Sequence, residues 1–152
     1  MAGLWSKLNL KDQERVLILD APASFERAVA ELEGKAVLRR WGADASVDFL
    51  VAFVTRQAAL DAVAGKLPAK TRGDAVVWIA YPKGTSKRYA CEFNRDTGFD
   101  ALGSAGFEGV RQVAIDEDWS ALRFRRVEYI KKMKRDPKRA LTAEGRKRTG
   151  KP

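Results

Sequence analysis

Residues 15–29, RVLILDAPASFERAV, join a run of apolar residues to a helical pattern. Arg15–Leu19 is apolar after its first position, which is typical of a strand whose two faces are both covered by helices. Ser24 is of the type that caps a helix, and Gly34 is of the type that follows one. The apolar stripe between them, at helical spacing, consists of Phe25, Ala28, Val29 and Leu32. The segment is therefore predicted to be a βα unit.

The turn between this strand and this helix contains no glycine. Asp20, Pro22 and Ser24 stand where turns that bind nucleotides have glycine, which lets the backbone bend sharply and approach the ligand. The sequence thus predicts a Rossmann-like opening without its phosphate-binding residues. Two interpretations of the turn remain open. Its polar side chains stabilise the turn and the helix start, or the helix N-terminus still accepts an anion with help from Lys83 or Lys87.

The rest of the chain continues the alternation of strands and helices. Strands are predicted at 36–39, 47–54, 75–80, 109–115 and 121–126. A helix begins after Thr55 and ends near Pro68, and a weaker helix at 95–104 follows Asn94. The apolar stripe of the helix after Thr55 is predicted to be Ala58, Ala59, Ala62 and Val63. The last two strands are joined by a short turn and must pair antiparallel.

These elements predict one α/β domain at residues 1–130, a single Rossmann-like domain of three layers. Its sheet is mostly parallel and ends in an antiparallel hairpin. A short lead-in before residue 11 is expected to lay Trp5 or Leu8 on this body. Residues 131–152 are expected to be a basic C-terminal tail, flexible or partly helical.

The tail accounts for most of the charge of the chain. It holds ten Lys or Arg against two acids, and so carries +8 of the total net charge of +9. Any affinity for polyanions is therefore expected of the tail, with nucleic acid or an anionic surface as the partner. The candidate polyanion-binding residues are Lys131, Lys132, Lys134, Arg135, Arg146, Lys147 and Arg148.

Histidine is absent from the 152 residues, and Cys91 is the one cysteine. Catalysis by a Ser–His or Cys–His pair is therefore excluded within the chain, and no metal site is predicted. A disulfide scaffold is excluded as well. No apolar run is long enough to span a bilayer. The composition is that of a cytoplasmic protein.

Ligands of open parallel sheets bind beyond the carboxyl ends of the strands, where the strand order reverses. The residues expected at this rim, and therefore the candidate ligand-binding residues, are Asp20, Pro22, Ser24, Tyr81, Lys83 and Lys87. Tyr81 and Lys83 form the pair most like catalytic residues, since a phenol and an amine leave the same strand. A solvated loop is the simpler interpretation of that pair.

Three further features have a structural and a functional interpretation. Cys91 follows Lys87 and Arg88, which could lower the pKa of its thiol, although a single idle cysteine is the commoner case. Asp116–Asp118 is interpreted as a solvated turn, because three consecutive acids do not converge on one metal ion. Trp119 is expected to pack on the sheet edge, and if exposed it would mark a partner surface.

The order of elements resembles the adenosylmethionine-dependent methyltransferase fold, in which a Rossmann half is completed by an antiparallel hairpin. Val16-Leu17 resembles the start of the glycine-rich first motif of that family, Asp48–Val51 its later aspartate-led strand, and Val77–Lys83 the strand and exit loop that follow. The resemblance places the three glycines of the family on Asp20, Pro22 and Ser24. It places no acidic residue at the ribose-binding position near 39–41.

The chain also resembles a family of short bacterial proteins classed as a domain of unknown function. The resemblance runs from about residue 10 to about residue 126, and its most recognisable pieces are 15–22, 78–83 and 118–124. This family implies the same fold and brings no established reaction.

Three hypotheses of function follow. The first is a non-enzymatic interaction or small-ligand-binding module that takes no cofactor, since the glycine loop is missing and adenosylmethionine is disfavoured. The second is an adenosylmethionine- or nucleotide-binding enzyme with an altered loop. The third is association with nucleic acid through the tail. Pairing of an exposed edge strand with a second copy would make the protein a homo-oligomer.

Overall fold

The computed structural model describes residues 2–42, 46–94 and 97–130, which form one six-stranded sheet with helices on both faces. The strands are β1 Arg15–Leu19, β2 Ala36–Leu38, β3 Val47–Phe53, β4 Thr71–Pro82, β5 Phe107–Ala114 and β6 Trp119–Arg126. The helices are α1 Ala2–Lys7, α2 Glu26–Val29, α3 Gln57–Lys70 and α4 Asp100–Ser104. Short 3₁₀ turns lie at Ala23–Phe25 and Val127–Tyr129. The predicted tail lies outside the described residues.

The strand order is β2-β1-β3-β4-β6-β5. The first four strands of this order are parallel, and β6 and β5 continue the sheet antiparallel. The predicted fold class is therefore confirmed, including the closing hairpin. The chain leaves β1 for β2 on one side and returns to β3 on the other side of β1. The strand order thus reverses between β1 and β3.

Each face of the sheet has its own apolar core, because successive side chains of a strand point to opposite faces. On one face, Leu17, Leu50 and Ile79 pack with the buried residues of α3 and α4. On the other face, Ile18 and Trp78 pack beneath α1 and the segment around α2. Sheet and helices therefore form the three layers that the sequence predicts.

The lead-in segment is the helix α1, and two indole N–H groups hold it in place. Trp5 Nε1 donates to the carbonyl of Ala28 at 2.9 Å, and Trp78 Nε1 donates to the carbonyl of Leu8 at 2.8 Å. Trp5 and Leu8 are both buried, as predicted. A buried indole N–H normally has a hydrogen-bond partner, and these two bonds supply one to Trp5 and one to Trp78.

The buried stripe of α3 differs from the prediction. Its buried residues are Leu60, Val63, Ala64 and Leu67, whereas the predicted Ala58, Ala59 and Ala62 are exposed. The larger leucines decide which face turns inward, because burial free energy scales with apolar area.

Helix α3 also ends later than predicted. It passes through Pro68 to Lys70, and β4 begins at the next residue, Thr71. The guanidinium of Arg126 donates to the carbonyls of Thr71 at 2.9 Å and Gly73 at 2.8 Å. Arg126 also donates to the carbonyl of Pro68 at 3.4 Å, in the last turn of α3, where carbonyls lack partners within the helix.

The weaker predicted helix is shorter than expected. It covers Asp100–Ser104 rather than 95–104, and Arg95 and Asp96 lie outside the described residues. Asn94 does not cap it, because Asn94 Oδ1 accepts a hydrogen bond from the amide of Thr97 at 3.1 Å within a tight turn. None of the helices in the described part of the chain has the length and apolar character to cross a membrane.

Candidate functional site

The carboxyl ends of β1, β3 and β4 lie along one edge of the sheet, where the strand order reverses between β1 and β3. This is the place where open parallel sheets bind ligands. Two segments of the chain that contain predicted ligand-binding residues leave the sheet at this edge. The first, the β1 turn, is residues 20–23, and the second, the β4 loop, is residues 83–94.

The β1 turn keeps a backbone conformation that normally favours glycine. Asp20 has φ of 56°, in the left-handed region, and its side chain is exposed. Aspartate tolerates this region better than most residues, because its short polar side chain costs less there. The first of the three positions where the methyltransferase resemblance expects glycine therefore has a glycine-like conformation without glycine. The missing glycine does not remove the sharp bend.

Ser24 does not have the role that the sequence predicts. It lies inside the 3₁₀ turn Ala23–Phe25, the cap position belongs to Pro22, and no side-chain hydrogen bond caps this turn. The helix α2 that follows has four residues. A single helical turn has few aligned peptide groups to stabilise an anion at its N-terminus. Ser24 is an exposed turn residue, its predicted role as a helix cap is wrong, and anion binding at this turn stays a prediction.

The carboxylate of Glu26, from α2, lies at the end of β2. Arg39, just after β2, forms an ion pair with Glu26 of α2, in which Nη1 donates to Oε1 at 3.1 Å and Nη2 donates to Oε2. The hydrogen bond from Arg39 lowers the pKa of Glu26 below its usual value. The same bond raises the pKa of Arg39. An ionised carboxylate thus lies at the position where the sequence showed no acid.

A cleft of about 710 Å³ opens beside the end of β4. Its lining residues are Tyr81, Pro82, Lys83, Gly84, Thr85, Ser86, Tyr89, Ala90, Cys91, Glu92, Phe93, Asn94, Thr97, Gln112 and Ser120. The volume lies within the range of small-molecule sites. Hydroxyl, amide and aromatic groups dominate this lining, so the cleft suits a small polar molecule with an apolar portion.

Tyr81 lies at the base of the cleft and is buried. Its hydroxyl accepts a hydrogen bond from Gln112 Nε2 of β5 at 3.0 Å. Its ring contacts those of Phe93 and Phe99, with centroids 6.1 and 6.0 Å away. Ser120 of β6 is opposite Tyr81 in the sheet and also lines the cleft. The sequence anticipated Tyr81 as part of an exposed loop, whereas it is the penultimate residue of β4.

The β4 loop is fixed to the turn between β5 and β6. The amide of Lys83 donates to the carbonyl of Asp118 at 2.8 Å, and Ser86 Oγ donates to the Asp118 carboxylate at 2.9 Å. Asp116 Oδ1 accepts hydrogen bonds from the amides of Asp118 and Trp119. The sequence predicts a solvated turn, whereas Asp116 and Asp118 are half-buried and hold the turn and the β4 loop by hydrogen bonds. No cluster of metal-ligating side chains occurs among residues 2–42, 46–94 and 97–130.

The far end of the β4 loop caps α3. Glu92 Oε1 accepts a hydrogen bond from the amide of Gln57 at 2.8 Å, and the Gln57 side chain donates to the carbonyl of Gly98 at 2.7 Å. Gly98 has φ of 95°, and a Cβ there would lie 2.5 Å from the Cβ of Phe93. Thr55 is not the cap that the sequence predicts, since the cap position belongs to Arg56. It contributes only its carbonyl, which accepts a hydrogen bond from the amide of Glu92 at 3.0 Å. A cap supplied from 35 residues away leaves no local sequence signal.

Cys91 lines the cleft, yet its environment is the opposite of an activating one. Burial raises the pKa of its thiol, and the hydrogen bond to the backbone of Phe93 only partly opposes this effect. The suggestion that Lys87 and Arg88 lower this pKa is therefore wrong. The thiol is predominantly protonated at neutral pH.

The structure divides the predicted rim residues into two groups. Tyr81 and Lys83 line the cleft, whereas Lys87 is exposed and outside its lining. Asp20 and Pro22 lie at the end of β1, two strands away from β4 in the sheet. Trp119 is buried against Phe53 and Tyr89, with ring centroids 5.1 and 4.9 Å away, as its structural interpretation predicts. The candidate tail residues are outside the described residues.

Comparisons with known proteins bear on the fold. A SAM-dependent methyltransferase from Aquifex aeolicus matches with a TM-score of 0.55 and 15% identity, over 81% of this chain and 87% of that one. TrmN from Thermus thermophilus matches with a TM-score of 0.51 and 11% identity, over 82% and 47% of the two chains. The N-methyltransferase NodS from Bradyrhizobium japonicum WM9, in complex with S-adenosyl-L-homocysteine, has a TM-score of 0.48 and 11% identity, over 76% and 79%. The sequence matches no family model and no curated protein.

At these identities the likeness establishes the fold, which is a methyltransferase-like Rossmann fold, as the resemblance predicts. The resemblance to a bacterial family of unknown function stays a prediction. The expectation that the chain takes no cofactor is wrong. It equated the missing glycines with a lost site, whereas the β1 turn keeps its left-handed residue and the fold is one whose solved examples include a SAM-dependent methyltransferase.

Proposed function

We propose that this chain binds adenosylmethionine over the carboxyl ends of β1 and β3 and holds a small methyl acceptor in the neighbouring cleft. The strand order carries the proposal, because it reverses between β1 and β3 and places the β1 turn at that point. The cleft begins at the end of β4, the strand next to β3. Cofactor and acceptor would then occupy adjacent parts of one edge.

The residues present are compatible with this cofactor. Adenosylmethionine, when bound, supplies a methyl group on a positively charged sulfur. Asp20 places an exposed carboxylate at the β1 turn, and Glu26 holds an ionised carboxylate beside Arg39 at the end of β2. A carboxylate accepts hydrogen bonds from ribose hydroxyls and is attracted to a cationic ligand. Glu26 would therefore bind the ribose hydroxyls, the role that the methyltransferase resemblance gives to an acid near residues 39–41.

The cleft would orient the acceptor rather than activate it strongly. Histidine is absent from the chain, and Cys91 is kept protonated by burial. Lys83 and Glu92 line the cleft, but the carboxylate of Glu92 already accepts the amide of Gln57. The acceptor would thus be a group that is nucleophilic without a strong general base, held by the polar side chains of Gln112 and Ser120.

Titration calorimetry of the full chain with adenosylmethionine and adenosylhomocysteine tests the cofactor. We expect one site with micromolar affinity, and a loss of about tenfold in Glu26→Gln, because a charge-assisted hydrogen bond contributes on the order of 1.5 kcal/mol. Glu33→Gln, an exposed residue of the same segment, should bind like the native chain. Absence of binding heat and of any rise in Tm at millimolar concentration of either compound would overturn the proposal.

The other two hypotheses have no comparable support. A non-enzymatic interaction module remains a prediction of the sequence, as does binding of nucleic acid by residues 131–152, which lie outside the described residues. Polyanion binding by the tail predicts an affinity that falls steeply with salt.

A further inference from the structure

Three arginines lie together on one face of the β5–β6 hairpin, far along the strands from the carboxyl edge. Arg111 of β5 is directly opposite Arg123 of β6, and Arg125 follows two residues later on the same strand. Side chains opposite each other or two residues apart in a sheet lie on the same face. Trp78, the partner of Arg123 in β4, belongs to the core beneath α1, so this face is opposite to the one that carries the cleft.

Within the part of the chain that the structure describes, the charges of this arginine face are only partly balanced. Arg125 forms an ion pair with Asp74, in which Nε and Nη2 donate at 2.7 and 2.6 Å. Glu108, which is buried, is opposite Arg125 in the hairpin. Both acids thus lie at the Arg125 end, which leaves Arg111 and Arg123 at the other.

Arg123 lacks an acceptor that its position requires. Its Nε is buried and has no hydrogen-bond partner in the described part of the chain. A buried N–H without an acceptor is costly, and more so on a charged group. Burial and the positive charges of Arg125 and Arg111 lower the pKa of Arg123, while Asp74 opposes them in part. Both deficits, the missing acceptor and the uncompensated charge, would be removed by one anion.

We propose that Arg111 and Arg123 form a binding site for a phosphate group, with Arg125 held beside them by Asp74. Guanidinium groups match the oxygens of phosphate with two parallel hydrogen bonds, which a point charge such as lysine does not provide. Arg111 is exposed and gives the anion access, and Arg123 supplies the buried N–H. This site is separate from the proposed cofactor edge, and its ligand is a phosphorylated metabolite or a phosphodiester.

NMR of the full chain tests the site with inorganic pyrophosphate as the probe. We expect the Nε–H resonance of Arg123 to shift on titration, because that group gains its acceptor. Arg111→Gln should raise the Kd for pyrophosphate about tenfold, the effect of one charge-assisted hydrogen bond. Arg27→Gln removes one exposed positive charge elsewhere and should leave the Kd unchanged. Arg123→Lys keeps the charge and should also weaken binding.

A second arm replaces pyrophosphate with a short single-stranded oligonucleotide at fixed salt. If Arg111→Gln raises the Kd for both pyrophosphate and the oligonucleotide, the site binds phosphodiesters as well as free phosphate groups. If it weakens only pyrophosphate, the ligand is a small phosphorylated molecule. If the Arg123 resonance does not move and Arg111→Gln and Arg27→Gln have equal Kd values, the ion binds by general attraction to a basic chain, and the proposed site does not exist.

Discussion

The two connections at the carboxyl edge reach a fixed shape by different means. The β1 turn depends on one left-handed residue, Asp20, whose side chain is exposed. The β4 loop depends on tertiary hydrogen bonds at both of its ends, to Asp118 and to the start of α3. A ligand-binding edge can thus be preorganised by local backbone conformation or by hydrogen bonds to distant residues. Only the first kind leaves a signal in a short stretch of sequence.

Gly98→Ala, which disturbs the packing of the β4 loop, is expected to have the largest effect. The new Cβ would lie 2.5 Å from the Cβ of Phe93, and the positive φ disfavours alanine. We expect a loss of about 2–4 kcal/mol in the free energy of unfolding, measured in urea. Gly84→Ala is the matched control, since a Cβ there has open space, and it should change stability by less than about 0.5 kcal/mol. Equal effects of the two variants would show that the β4 loop is not fixed by its packing.

A second pair of variants isolates the β1 turn. Asp20→Ala should cost about 1 kcal/mol, because alanine pays the full strain of the left-handed region, whereas Asp20→Gly should retain native stability within about 0.5 kcal/mol. The difference between the two variants in urea unfolding is the informative quantity. If alanine and glycine are equivalent at this position, backbone conformation does not hold the turn.

The smallest effect concerns the reactivity of Cys91 in the β4 loop. Burial raises the pKa of the thiol, so alkylation by iodoacetamide should be slower than in the urea-unfolded chain at pH 8 and should still accelerate as the pH passes 9. The pKa of the Cys91 thiol is higher in the folded chain than in the unfolded chain. Its contribution to the free energy of unfolding is therefore fully present below the unfolded pKa and is lost as the pH rises through the folded pKa. A rate equal to that of the unfolded chain would mean that the loop leaves Cys91 open to solvent.

The strands and the overall fold were predictable from the sequence. β1 is an apolar run with a clear end, and the pattern around 109–126 implies a hairpin because the connecting turn is short. The buried face of α3 was missed, since its many alanines make several faces apolar and only the volume of Leu60 and Leu67 separates them.

The candidate site was predictable only in part. Tyr81 and Lys83 follow from the rule that loops at the carboxyl edge bind ligands. Gln112 and Ser120 come from antiparallel strands late in the chain, and Glu26 reaches the end of β2 only through its pairing with Arg39. These are long-range contacts, which depend on strand register and side-chain direction. No periodicity or motif encodes them.

The junction between α3 and β4 has a consequence for how the protein is made. Helix and strand meet without a connecting loop, and the carbonyls there receive their donors from Arg126, which follows Thr71 by 55 residues. During translation the junction leaves the ribosome long before Arg126 does. Thr71 closes the end of α3 on the carbonyl of Leu67, but the carbonyls of Thr71 and Gly73 gain their guanidinium partner only when the hairpin is synthesised and folds back. A nascent chain stalled short of residue 126 would be a better target for chaperones and proteases than its content of finished strands suggests.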